Sequence, residues 1–194
     1  MIAGHFGLAA GVKAAEREAP LLALMLGTAW LDVIFVPLFA AGIETITPVP
    51  GTNGGYGDGI IHADYTHSLL GALILSAIYG AFFLPRFGRR VAWVLAAVSF
   101  SHWILDLTVH RGDMPILPAN LGNLPRLGLG LWQFPAISAA LELLLVVGGS
   151  FLYWRAALQT TAASGESRKA NVAALVVLLS GVLVLYLDVT GLLG

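Results

Sequence analysis

The chain has 194 residues, 58% hydrophobic and 11% charged, with a formal net charge of -1 and no cysteine. Soluble domains carry about 25% charged residues, so this surface is built to face lipid, and the near-neutral charge lacks the basic face that a nucleic-acid partner needs. Without cysteine, disulfides, thiolate nucleophiles and thiolate metal sites are excluded, so any metal falls to His and carboxylate ligands, which favours zinc, iron or manganese.

Met1 to Ala19 lacks the basic start and long apolar core of a signal peptide. It reads as a short helix over Ile2 to Arg17 that dips into the membrane, with Gly4, Gly7 and Gly11 on one side, where small residues permit close helix packing. Pro20 separates it from a first span, Leu21 to Ile43, interrupted only by Asp32. Glu44 to Tyr65 reads as a flexible Gly/Pro loop, whose Gly51 to Gly59 stretch could serve as a lid. A second span, Thr66 to Leu84, ends at Arg86, Arg89 and Arg90, and a third runs from Val91 to Val109. Arg111 to Leu131 is a second Pro/Gly loop, suited to the interface, and its Arg111-Gly112-Asp113 tripeptide is read as chance. Trp132 to Trp154 and Asn171 to Leu193 are the fourth and fifth spans, joined by a polar link. The five tryptophans read as interface anchors. The expected architecture is therefore one all-α membrane domain over residues 1–194, with five spans and the dipping helix. Lys13, Arg17, Arg86, Arg89, Arg90, Arg155, Arg168 and Lys169 fall on one side of that scheme, and only Arg111 and Arg126 on the other. The first side is expected in the cytoplasm and the C-terminus outside.

Polar groups collect at similar depth. His102, Asp106 and His110 recur at steps of four and share one stripe of the third span. At about 1.5 Å per helical residue, His5 lies near 12 Å from the cytoplasmic charges, Asp32, His102 and Glu142 near 17–18 Å, and His67, Asp106 and Asp188 near 23–27 Å. All five histidines fall in the middle-to-outer half of the bilayer or at its outer edge. Intramembrane ionisable groups are costly and mark functional cavities or paired sites. His5, Asp32, His67, His102 and Asp106 are the expected ligands of one or two divalent ions, zinc foremost. Glu142, His110 and His62 are candidates for moving the proton, with His110, His62 and Asp64 nearer the mouth. Asp64 reads equally as the N-cap of a helix starting at Thr66. Asp188 reads as snorkelling to the outer interface.

Gly4-His5-Phe6-Gly7, Asp32, His62-Ala63-Asp64-Tyr65-Thr66-His67-Ser68 and His102-Trp103-Ile104-Leu105-Asp106 together resemble the bacterial inner-membrane metal-dependent hydrolases described as LexA-binding and inner-membrane-associated. An N-terminal His, an Asp-rich segment, His-Arg-Gly-x-Thr-His-Ser and His-x-x-x-Asp recur there in this order. The chain departs in having Ala63-Asp64 for Arg-Gly and a single Asp32 for the Asp-rich segment. The resemblance implies an inner-membrane hydrolase with a divalent metal. The expected substrate is a lipid or lipid-linked ester, amide or phosphoester. A proton- or ion-coupled transporter, a non-haem iron lipid oxidase and a non-enzymatic assembly subunit are the competing readings.

Overall fold

Long apolar runs with few breakers give a mostly helical chain, and the computed structural model describes residues 1–52, 55–161 and 165–192. In chain order these are α1 (Ile2–Ala15), α2 (Leu21–Thr28), α3 (Trp30–Ala40), β1 (Thr45–Pro48), β2 (Gly59–His62), α4 (Leu69–Val109), α5 (Pro135–Thr161) and α6 (Ser167–Val189). Short 3-10 turns occupy Pro118–Asn120 and Leu131–Gln133. Among the described residues, α4, α5 and α6 are each long and apolar enough to cross a membrane, and α2 with α3 passes the same test as one span bent by 48°.

The helices depart from the expected boundaries in ways that build the interior. α1 is not peripheral. It lies along α5, where Gly7 and Gly149 bring the backbones together so closely that a Cβ on either would overlap the other helix. The first span breaks at Ala29 (φ -104°, ψ 4°) although no proline stands there. α4 is broken at Gly88, whose φ of 75° and ψ of 175° are open to glycine alone without strain. Its two halves fold back on one another: Ser76 Oγ donates to Ser99 Oγ at 3.1 Å, and Tyr79 packs with Val91, Leu95 and Val98.

The two ends of the bundle differ chemically. At one end Arg90 pairs with Glu16 at 2.9 Å and Arg17 donates to Gln159 at 3.1 Å, tying α1, the Gly88 break and the end of α5 together. At the other end the stretch expected as a flexible loop forms an antiparallel hairpin, with Thr45 opposite His62 and Pro48 opposite Gly59. Residues 53 and 54 of the expected lid lie outside the described residues. The 111–131 loop folds over the start of α4, where its Pro115 and Ile116 carbonyls accept from Leu69 and Leu70 N–H at 3.0 and 3.1 Å. Ser68 Oγ accepts from Gly71 N at 3.1 Å, so the first three amides of α4 are all satisfied. The helix therefore starts at Leu69, not Thr66, and Asp64 is not its cap. Asp64 instead binds Arg126 through both oxygens, at 2.7 and 3.0 Å. Ser68→Ala is expected to cost about 1 kcal/mol, read as a lowered midpoint of thermal unfolding in detergent.

Candidate metal centre

Four segments deliver one polar cluster to the interior. His102 and Asp106 stand one turn apart on the second half of α4, with Nε2 and Oδ2 3.0 Å apart. α3 supplies Asp32, the turn before α4 supplies His67, α1 supplies His5, and His110 is the residue at which α4 ends. His67 Nε2 lies 3.1 Å from His102 Nε2 and 3.5 Å from both Asp32 Oδ1 and Asp106 Oδ2. Asp32 Oδ1 is also 3.5 Å from His102 Nε2. His5 Nε2 sits 3.5 Å from the other Asp106 oxygen, Oδ1, and His110 Nε2 is 3.7 Å from Oδ2. Two three-residue groups, His5–His102–Asp106 and Asp32–His67–His102, each place their ligand atoms within 4.8 Å of one another. Zinc bond lengths of about 2.0–2.2 Å put tetrahedral ligand atoms roughly 3.3–3.6 Å apart, and the separations of 3.0 to 3.5 Å lie at or a few tenths of an ångström below that scale.

The outward ring nitrogens decide what the inward ones present. His102 Nδ1 is 2.6 Å from the Thr28 carbonyl, His5 Nδ1 contacts the Met1 carbonyl, and His110 Nδ1 is 2.7 Å from Asp113 Oδ1. Carbonyl and carboxylate oxygens only accept, so each of these Nδ1 atoms carries a proton. In the neutral imidazoles the Nε2 atoms of His102 and His110 are then lone pairs, whereas His5 Nε2 also lies 3.3 Å from the His102 carbonyl. These lone pairs point at carboxylate oxygens, an acceptor-to-acceptor arrangement that a cation relieves. The break at Ala29 contributes directly, because it turns the Thr28 carbonyl away from its own helix and towards His102. The cluster is buried except at Asp32, whose side chain is 40% exposed, so that residue marks its opening.

His110 was expected at the mouth but is buried, since the 111–131 loop returns over it: Gly130 N donates to the His110 carbonyl at 2.7 Å, and the Trp132 ring lies 4.7 Å from the imidazole. Burial works to raise the Asp113 carboxyl, but the hydrogen bond from His110, with the Ile61 amide at 2.8 Å, holds it below the usual range. Two tryptophans serve the site rather than the interface. Trp103 Nε1 donates to the His67 carbonyl at 2.8 Å, and Trp132 covers His110.

Glu142 is fully buried beside the cluster without joining it. It accepts from Gly4 N at 3.0 Å and from Tyr56 OH at 2.5 Å, so it anchors the turn of α1 that carries His5. Burial, then the Glu142 carboxylate, push the Tyr56 phenol above its usual range and keep it a donor. His62 lies on β2 with Nε2 3.2 Å from Thr47 Oγ1, and among the described residues no contact joins it to the cluster. Asp188 lines a separate cavity of about 450 Å³ with Ile2, Tyr56 and Trp132.

Sequence reasoning missed Glu44, Thr66, Asp113 and the Thr28 carbonyl. Asp113 stands three residues after His110, and Thr66 precedes His67, so spacing held a signal for both. Glu44 is joined to Thr66 only by the β1–β2 pairing, which nothing in the intervening Gly/Pro stretch announces. No family model, curated protein or solved structure matches the chain.

Proposed function

We propose that the chain is a membrane-embedded, metal-dependent hydrolase of a lipid or lipid-linked ester, amide or phosphoester. The observation that carries this reading is the convergence of imidazole Nε2 atoms on Asp32 and Asp106 while their Nδ1 atoms are held from outside. His67, His102, Asp32 and Asp106 would hold the ion, with His5 against the second oxygen of Asp106. Both three-residue groups use His102, whose single inward lone pair serves one ion, so one site is the simpler reading. Imidazole with carboxylate suits zinc, with iron or manganese as alternatives. A divalent ion supplies Lewis acidity and makes water a competent nucleophile at neutral pH without a thiolate.

The remaining roles belong to the protein. His110, oriented by Asp113 and 3.7 Å from Asp106, is placed to carry a proton between the site and the 111–131 loop. Glu142 holds α1 and hence His5. The opening at Asp32 is flanked along α3 by Val33, 42% exposed, and Val36, 62% exposed, which favours a substrate approaching from hydrocarbon.

Five spans are the membrane reading we favour: α2–α3, the two halves of α4, α5 and α6. The Gly88 break and the Ser76–Ser99 contact support counting α4 twice. The basic end formed by Arg17, Arg86, Arg89 and Arg90 supports a cytoplasmic placement, with the hairpin outside, in a bacterial inner membrane. The resemblance to the inner-membrane metal-dependent hydrolases agrees with this reading.

The test is turnover. Zinc-loaded protein in detergent is expected to release hydrolysis products from a bacterial inner-membrane lipid extract, detected by mass spectrometry, and His102→Ala to release none. Zinc binding without any lipid turnover would remove the hydrolase reading and leave the metal centre standing.

A further inference from the structure

His67 differs from the other clustered histidines in its outward partner. Its Nδ1 is 2.8 Å from Thr66 Oγ1, a hydroxyl, and a hydroxyl can donate or accept. The direction is fixed one residue further out. Glu44 is fully buried, and its Oε1 accepts from Tyr65 N at 2.8 Å and Thr66 N at 2.9 Å. Its Oε2 accepts from Thr66 Oγ1 at 2.9 Å. A carboxylate receiving three donors is an acceptor only. The Thr66 proton is therefore committed to Glu44, and the hydroxyl faces His67 with its lone pairs.

We propose that Glu44 and Thr66 are positioning residues that set the tautomer of His67, forcing its proton onto Nδ1 and presenting Nε2 to the cluster as a metal ligand. This rests on the metal-centre reading above. The choice of tautomer has a consequence at the site. With the proton on Nε2, His67 would donate to the His102 Nε2 lone pair 3.1 Å away, with the Asp32 and Asp106 oxygens at 3.5 Å around that proton, and the cluster would satisfy itself without an ion. With the proton on Nδ1, the same atoms face one another as acceptors and require a cation. Glu44 thus chooses between a closed hydrogen-bonded core and a ligand set. It reaches Thr66 because β1 and β2 pair with Thr45 opposite His62, which brings the residues just outside the ladder together.

Glu44→Gln tests this without removing the side chain. The amide can turn its NH2 to Thr66 Oγ1, the hydroxyl then donates to His67 Nδ1, and the polarity of the relay reverses. In zinc-free protein in detergent, histidine 15N spectra with His67 assigned by difference from H67N are expected to show the proton on Nδ1 in the parent and on Nε2 in E44Q. Zinc affinity of E44Q is expected to fall about 10–100-fold, the range for changes to the partners of metal-ligating histidines. Thr66→Ser should keep the parent tautomer and affinity, and Thr66→Val should lose both. An E44Q protein with Nδ1 still protonated and parent zinc affinity would overturn the proposal, as would T66V behaving like T66S. If E44Q does not fold, the Thr66 pair decides. If the parent itself binds no zinc, the metal-centre reading fails, while the tautomer spectra still decide the relay.

Discussion

Asp106→Ala protein is expected to bind zinc at least about a hundredfold more weakly than the parent, at or beyond the upper end for residues one step removed from a metal. Asp106 faces every histidine of the cluster: Oδ2 lies 3.0 Å from His102, 3.5 Å from His67 and 3.7 Å from His110, and Oδ1 lies 3.5 Å from His5. Its loss removes a proposed ligand and the one carboxylate that gathers the imidazole nitrogens of α1 and α4 around a common point. The same loss is legible in stability. Zinc at a hundred times its dissociation constant stabilises a folded protein by about 2.7 kcal/mol, a rise of roughly 5–11 °C for a chain of this size. The parent should show that rise and Asp106→Ala, at equal zinc, should show no more than about 1–2 °C. Equal zinc-dependent shifts in the two proteins would place the metal elsewhere.

Gly149→Val is expected to be the most damaging single change away from the cluster. A Cβ at Gly149 would overlap the Gly7 carbonyl, and a Cβ at Gly7 would overlap the Leu145 backbone. Backbone cannot rotate aside as a side chain can, so α1 must move off α5. Overpacking of this kind costs about 3 kcal/mol at the upper end of its usual range, a fall of roughly 6–12 °C in thermal midpoint. The effect should reach the site as well, because Gly4 N is bonded to Glu142 and His5 is the next residue. Zinc affinity should therefore fall together with stability. Gly148→Val is the control, since a Cβ there meets nothing within 4 Å. Parent-like stability in Gly149→Val would contradict the α1–α5 contact.

Much of the cluster was legible in the chain because helical periodicity carries it. His102 and Asp106 share a face at a spacing of four, and depth along apolar runs gathers His5, Asp32 and His67 to the same level. What was illegible depends on tertiary contacts that compete with local preference. The break at Ala29 has no proline to announce it; the Thr28 carbonyl is instead held by His102, 74 residues away. The start of α4 moved to Leu69 because Ser68 and the Pro115 and Ile116 carbonyls satisfy its first amides, while Arg126 removed Asp64 from capping. The hairpin lay in a Gly/Pro stretch that reads as loop, and with it went the link from Glu44 to His67. His110 was placed by depth at the surface, but depth along a helix does not tell whether the following loop folds back over it.

The central claim, that this cluster is a metal centre, is tested most directly by zinc-edge X-ray absorption on the purified, zinc-loaded protein. A first shell of nitrogen and oxygen at about 2.0–2.2 Å, with the outer-shell scattering of at least two imidazoles that is lost in His102→Ala, is the predicted result. Failure to load zinc, or a spectrum without imidazole that His102→Ala leaves unchanged, would contradict it.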